Sequence, residues 1–327
     1  MISFIGQKMG GQLEVRGIGW RLLAGGCFVV FMLIGFWGWK YVFPRSRSIP
    51  KNISHFGPAH PETVYDQEGE NHPYGRPFQG VLLWENSRGF HEFCVKQKTS
   101  LRMAAFQTTL PDPLPGEEYN VALAADLLAG TVVKPGKIFS MNATIGPYSK
   151  EQGFREGPMY LGNQVVKTIG GGVCKIASTL YNVTVLADLA VIERHQHGMQ
   201  VPYVPPGQDA TVSNGSKDFK FKNNTNYPVF IWADTKQNTL YMAIYGSTIP
   251  PKVTWHHKVL HRQKNQTIYR YNSHLKPGEE KVAVAGADGL TVKSWLTITH
   301  PNGSRVKKEL GINYYKPLPH VIERGTN

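Results

Sequence analysis

The chain has only three cysteines in 327 residues, Cys27, Cys94 and Cys174, and no two of them form a C-x-x-C pair. That spacing excludes a thiolate zinc cluster and a thioredoxin-type redox centre. Acidic residues are also scarce: 23 Asp and Glu stand against 36 Lys and Arg, giving a formal net charge of +13. So basic a chain is drawn to polyanions. It lacks zinc-finger spacing, a recognition-helix pattern and an aromatic-basic RNA-binding signature, so no nucleic acid is expected as partner. Anionic lipid head groups and anionic wall polymers remain. Charged residues reach only 18%, and hydrophobic residues 41%, which fits a globular protein with one membrane segment and excludes a disordered chain or a polytopic membrane protein. No internal repeat is evident. The length suits two or three units. The 34 glycines and 22 prolines favour a loop- and strand-rich body over a helical bundle.

One long run, Leu22–Trp39, carries no charge. At about 1.5 Å per residue it just spans a hydrocarbon core of roughly 30 Å. Trp20, Trp37, Trp39 and Tyr41 sit near its ends, where amphipathic rings prefer the interface. Trp37, Trp39, Tyr41 and Phe43 are bulky where signal cleavage wants small residues. The expectation is a single-pass protein of the cell membrane, with residues 1–21 cytoplasmic and an uncleaved anchor at 22–43. Lys8, Arg16 and Arg21 before the run and Lys40, Arg45, Arg47 and Lys51 after it leave the orientation undecided. Residues 44–80, rich in Pro, Gly, His and Asn, read as a stalk or irregular lead-in.

Beyond that stretch the pattern is mixed. Tyr119 to Leu128 reads as an amphipathic helix stopped by Gly130, and Thr131-Val132-Val133 as a short strand. From Cys174 to Ala190 apolar residues recur at Ile176, Leu180, Val183 and Leu186, near a 3.6 period. Short strands bounded by Gly, Asn or Pro turns follow, around Val191, Phe219–Phe221, Tyr227–Trp232 and Leu240–Tyr245. A further strand-rich stretch begins near Leu275, with Pro301-Asn302-Gly303 as a hairpin turn. The expected fold class is α+β: one helix packed on a mainly antiparallel sheet, plus a small C-terminal β unit.

The most informative segment runs Gly170-Gly171-Gly172-Val173-Cys174-Lys175-Ile176-Ala177-Ser178-Thr179-Leu180-Tyr181-Asn182. Glycines permit positive φ and a close main-chain approach. They deliver Cys174 to the first turn of a helix, where free N–H groups and the helix dipole stabilise a thiolate or an oxyanion. This arrangement suits acyl transfer through a thioester; the bland alternative is a small buried cysteine. A nucleotide P-loop is set aside because no Lys-Ser/Thr pair follows the glycines. A thiol nucleophile needs a base, and Glu193-Arg194-His195-Gln196-His197 offers two. Two residues apart on an extended chain, both histidines point one way, so either reaches Cys174. Zinc would need a third ligand that does not follow at metal spacing, so neither a metal nor a cofactor is expected. Asp209, after the Pro205-Pro206-Gly207 turn, either orients a histidine or caps its own turn.

These residues resemble a family. Phe139-Ser140-Met141-Asn142, Gly146-Pro147 and Gly153-Phe154-Arg155-Glu156-Gly157-Pro158 look like the entry to a VanW domain. Gly170 to Asn182 matches its Gly-Gly-Gly-x-Cys-x-x-x-Ser-Thr-Leu-Tyr-Asn signature, with Ala177 where Ser is as common. Glu193 to His197, Tyr203 to Val212 and Asp218 to Thr225 follow in the family's order. The resemblance implies an extracytoplasmic, peptidoglycan-associated role and L,D-transpeptidase-like acyl transfer on stem peptides. Cys174 would be the nucleophile, His195 or His197 the base, and Asp209 the orienting group. Gly170, Gly171, Gly172, Ser178, Tyr181, Asn142 and Arg194 would meet the substrate. The alternative is a module that binds peptidoglycan or assists wall assembly without turnover. The domain would run over 81–250, with its core at 128–232. Residues 275–326 more faintly resemble a G-five module, through Gly278-Glu279-Glu280-Lys281-Val282, Pro301-Asn302-Gly303 and Tyr315-Lys316-Pro317-Leu318-Pro319, which implies a hold on wall glycan. Nothing in the chain indicates an oligomeric state.

Overall fold

In order, the chain forms β1 (Gly75–Pro77), α1 (Arg88–Gln97), β2 (Leu101–Thr109), α2 (Glu117–Leu128), β3 (Thr131–Val133), β4 (Ile138–Ser140), α3 (Met141–Ile145), β5 (Glu156–Leu161) and β6 (Gln164–Ile169). It continues through α4 (Val173–Leu186), β7 (Ala190–Glu193), β8 (Lys220–Lys222), β9 (Val229–Lys236) and β10 (Thr239–Gly246). Six further strands complete it: β11 (Lys252–Gln263), β12 (Thr267–Pro277), β13 (Glu280–Val284), β14 (Gly289–Thr299), β15 (Arg305–Tyr315) and β16 (His320–Gly325). This structure, a computed structural model, describes residues 72–161 and 164–325.

A five-stranded antiparallel sheet, β1-β2-β10-β9-β3, is the central layer. Both of its faces are covered. Leu240, Met242 and Ile244 of β10 join the main core with Ile176, Leu180 and Val183 of α4 and Val121 and Leu128 of α2. Ala243 and Tyr245, on the alternate positions, join Phe90 and Cys94 of α1, Trp84 and Phe230 in a second core. The period-2 alternation of a strand divides the two faces. Aromatic packing closes the second core: the rings of Phe230 and Tyr245 stack 5.0 Å apart, and Phe90 meets Tyr245 edge-on at 4.9 Å.

α4 begins where the glycines end and stops at Leu186. It is shorter than its apolar period suggests because Asp188 adopts φ +53, which turns the chain into β7. Its sides touch α2, β2, β10, β7 and β11. Thr179 shares a hydrogen bond of 2.8 Å with Thr108 of β2. Every side chain from Lys175 to Val185 is buried, so an amphipathic-looking helix is enclosed all round.

That enclosure corrects the expected fold class. The α+β picture of one helix on one antiparallel sheet with a small C-terminal β unit does not describe this chain. Among the described residues it is mostly β, 45% strand against 17% helix, spread over several small sheets. The helix sits among several elements instead of resting on a single sheet. The excess of strand comes from Lys252 onward, where β11-β14-β15 and β12-β16-β13 form two three-stranded sheets of mostly long strands. Within the latter, β12 and β16 run parallel. Period-2 burial along β14, from Leu290 through Val292, Ser294 and Leu296 to Ile298, is a half-buried strand pattern.

The expected placement is also corrected. Among the described residues no helix is long and apolar enough to cross a membrane, so the single-pass assignment and the membrane anchor are not supported. The run Leu22–Trp39 itself, with residues 1–21 and the lead-in up to residue 71, lies outside the described residues. Gly75–Pro77, at the described end of that lead-in, pairs with β2.

Candidate functional site

The hairpin of β5 and β6 feeds the chain into the glycine turn that starts α4. Gly172 is the N-cap, at φ +100 and with no side-chain cap. A Cβ there would lie 2.7 Å from Glu117 Cγ, so both the backbone and the space demand glycine. Gly171 packs against the Gly157 main chain, and its carbonyl accepts from Asn120 Nδ2 at 2.8 Å. The main-chain N–H of Gly170 donates to Arg155 at 3.0 Å. Cys174 then falls in the first turn of α4, at the positive end of the helix. The buried Lys175 ammonium pairs with the partly exposed Glu118 at 3.1 Å.

Around the thiol lie Thr211 Oγ1 at 3.2 Å and the Val212 carbonyl at 3.6 Å. His197 completes this surround. Burial pushes the Cys174 thiol up, but the hydrogen bond and charge of His197, then Thr211 and the Val212 main chain, outweigh it, and the thiol lies below its ordinary range. The sulfur is densely enclosed, yet the residue keeps part of its surface open. His197 Nδ1 meets Asp209 Oδ2 at 2.7 Å, and the His197 main-chain N–H donates to the same oxygen at 2.6 Å. Burial works against the imidazolium, but Asp209 and Cys174 dominate and raise His197 to about 9. Asp209 is itself 1% exposed. Burial would raise its carboxyl, yet His197, Arg194 and Tyr315 hold it down to about 2. The arrangement is a cysteine and a histidine that favour each other's charged forms, backed by a buried carboxylate.

The two histidines are not alike. β7 ends at Glu193, and beyond it His195 continues the pairing through an isolated bridge to Thr211. His195 Nε2 pairs with Glu193 Oε1 at 2.9 Å, while His197 faces Cys174 and Asp209. Arg194 Nη2 donates to Asp209 Oδ1 at 2.9 Å, and its guanidinium lies over the Tyr181 ring at 5.2 Å. Ser178 and Tyr181 are buried. Ser178 Oγ donates to the Ala210 carbonyl and accepts the Ala210 N–H, both at 2.9 Å, which clamps the Asp209 segment to α4. Asn142 Nδ2 donates to the Lys217 carbonyl at 2.9 Å, and its Oδ1 accepts from the Tyr148 hydroxyl at 2.8 Å. Cys94 and Cys174 are both free; Cys94 belongs to the opposite core, on the far face of the central sheet. Among the described residues no group of three His, Cys, Asp or Glu side chains could hold a metal ion.

Several neighbours carried no signal in the sequence. Burial, then the nearby thiolate, raises the Tyr148 and Tyr203 hydroxyls. Burial lifts Glu117, under the glycine turn, to about 7. Thr211 lies inside the Tyr203 to Val212 motif, which gives it no role of its own. Tyr315 lies far downstream, and no local pattern points to it.

Comparison with known proteins gives these segments their relatives. Residues 116–245 match the family described as "VanW like protein", and residues 258–327 match the G5 domain. Over 131 residues the chain is 36% identical to an uncharacterized protein, YoaR, of Bacillus subtilis (strain 168), covering 40% of this chain and 43% of that protein. It is 27% identical over 137 residues to the "Vancomycin B-type resistance protein VanW" of Enterococcus faecalis (strain ATCC 700802 / V583), covering 40% of this chain and 50% of that one. The chain thus spans half or less of the length of these two relatives. Among solved structures, an IgA1 protease G5 domain covers 24% of this chain and 93% of its own, at 20% identity and a TM-score of 0.16.

Proposed function

Because this chain carries a VanW domain followed by a G5 domain, we propose that it is a cell-wall protein whose Cys174 performs L,D-transpeptidase-like acyl transfer on peptidoglycan stem peptides. The observation that carries the reading is Cys174 in the first turn of α4 beside His197, whose Nδ1 is hydrogen-bonded to the buried Asp209 at 2.7 Å. A cysteine with a hydrogen-bonded base, itself oriented by a third group, is the arrangement of an activated nucleophile. The relative from Enterococcus faecalis is named for vancomycin resistance, and the basic charge of +13 suits a wall of anionic polymers. The G5 segment is taken to hold wall glycan.

On this reading the Cys174 thiolate attacks a peptide carbonyl carbon, forming a C–S bond. The tetrahedral oxyanion faces the N-terminal N–H groups of α4. His197, protonated near neutral pH, gives its proton to the leaving amine as the C–N bond breaks. A thioester remains on Cys174. An amine from a second stem peptide then attacks; neutral His197 takes its proton, the C–S bond breaks, and the thiolate returns. Water in place of the amine gives hydrolysis by the same steps. Asp209 stays ionised throughout and keeps the imidazole aligned.

The test is intact-mass measurement after incubation with a synthetic stem peptide or a carbapenem. A single adduct on Cys174, absent from Cys174→Ser, is expected. A wild-type protein that binds the stem peptide yet never acquires an adduct from either compound would replace acyl transfer with binding.

A further inference from the structure

The carboxylate that orients His197 is gripped from outside its own domain. Tyr315 ends β15, within the segment matched as G5, and is 4% exposed. Its hydroxyl donates to Asp209 Oδ1. The Gly207 main-chain N–H donates into the same hydroxyl oxygen at 2.7 Å. A phenol has one proton to give, and with Gly207 occupying the oxygen from one side, that proton is directed at the carboxylate. Two residues earlier on β15, Asn313 Oδ1 accepts from Arg194 Nη1 at 2.6 Å. Arg194 in turn holds the Asp209 carbonyl through Nε at 2.7 Å and Oδ1 through Nη2 at 2.9 Å. The two carboxylate oxygens therefore divide their partners. Oδ1 takes Tyr315 and Arg194, while Oδ2 takes both nitrogens of His197 that face it.

The seam between the two segments is shaped for this grip. Gly207 has φ +97, and a Cβ on it would come within 2.2 Å of Ser294 Oγ on β14. The Pro-Pro-Gly turn can lie against the C-terminal sheet only as glycine. Beside it, Gln208 Nε2 meets His257 Nε2 at 2.9 Å, and His257 Nδ1 meets Ser294 Oγ at 3.0 Å. Gln208, His257 and Ser294 are all buried. A seam of buried, mutually satisfied polar groups permits few alternative dockings.

We propose that Tyr315 is a positioning residue of the Cys174 site, and that the G5 segment is a structural part of that site as well as a wall-binding appendage. Tyr315 fixes Asp209 Oδ1 so that Oδ2 stays aimed at His197. The proposal rests on the acyl-transfer reading above and adds the source of the orienting group's rigidity. It also makes the reactivity of the VanW site depend on how the C-terminal segment is seated.

The test uses the full chain carrying Tyr315→Phe, which deletes one oxygen. Alkylation of Cys174 by iodoacetamide is followed against pH, with peptide mass spectrometry separating it from Cys27 and Cys94, and thermal unfolding confirms folding. In the wild type the Cys174 profile is expected to extend well below that of an ordinary thiol. In Tyr315→Phe its acidic limb moves up, and the rate near neutral pH falls about tenfold, as losing one hydrogen bond to a charged group implies. A folded Tyr315→Phe whose profile coincides with the wild type overturns the role of Tyr315 and leaves the acyl-transfer reading standing. A wild-type profile that is already that of an ordinary thiol overturns both. If Tyr315→Phe does not fold, Asn313→Ala decides: it frees Arg194 without touching the phenol. A smaller upward move of the same limb supports the proposal; coincidence with the wild type ends it.

Discussion

Asp209→Asn isolates charge from shape. The replacement keeps the volume and removes one negative charge from a side chain that is 1% exposed. In the wild type, His197 stands at about 9 against an ordinary 6.5, despite burial that pulls it down. That difference corresponds to roughly 3 kcal/mol favouring the imidazolium, shared between Asp209 and Cys174. Without the carboxylate, burial works against the imidazolium with Cys174 as its remaining support. His197 is then expected to fall toward or below its ordinary value, and the Cys174 thiol to rise toward the usual range as its charged partner is lost. The sign follows directly. Wild-type His197, with its value raised by folding, contributes stability that is complete below about 6.5 and lost as pH climbs through about 9. In Asp209→Asn that contribution shrinks, and the neutral-pH protein loses it. Arg194 also loses its carboxylate, but it keeps Asn313 and the Asp209 main-chain carbonyl as partners. The total cost is therefore placed at about 3 kcal/mol, the low end for breaking a buried pair. Thermal and urea unfolding at neutral pH measure the stability, and histidine nitrogen NMR titration of His197 measures its protonation. A variant whose His197 still titrates near the wild-type value would refute the claim that Asp209 holds the proton on the ring.

The two histidines separate cleanly. His197→Ala is expected to lower the rate of Cys174 acylation by roughly 10²- to 10⁴-fold, while His195→Ala, whose ring pairs with Glu193, changes it little; equal losses in both variants would contradict the assignment. Gly172→Ala combines a φ of +100 with a 2.7 Å approach to Glu117 Cγ, so it is expected to destabilise the fold by about 1–3 kcal/mol, read as a lower unfolding midpoint; an unchanged midpoint would show that the glycine turn relaxes freely.

Much of the site could be read along the chain because its signals are local. Gly170-Gly171-Gly172 before an apolar run at Ile176, Leu180 and Val183 announces a tight turn into a helix, and that places Cys174 in the first turn whatever the rest of the protein does. The order of motifs from Phe139 to Thr225 follows that of the VanW family, which matches residues 116–245. The fold class is not legible in the same way, because periodicity reports which face of a helix is apolar, not how many elements close around it. Lys175, Ser178, Thr179 and Asn182 look like a polar face in the sequence, yet all are buried, satisfied in part by partners such as Thr108 and the Gln208 carbonyl.

By itself, then, the sequence determined where Cys174 lies, which helix presents it and which two histidines are its candidate partners, since each depends on neighbours a few residues apart. Only the tertiary structure decided between His195 and His197, because it pairs the first ring with Glu193 and the second with Asp209. It alone chose between the two readings of Asp209, as partner of His197 or as turn cap, and it alone brought Tyr315 to Asp209 across 106 positions of sequence. Hydrogen bonds are short and directional, so their partners are chosen by where the folded backbone aims each side chain, and no local pattern carries that information.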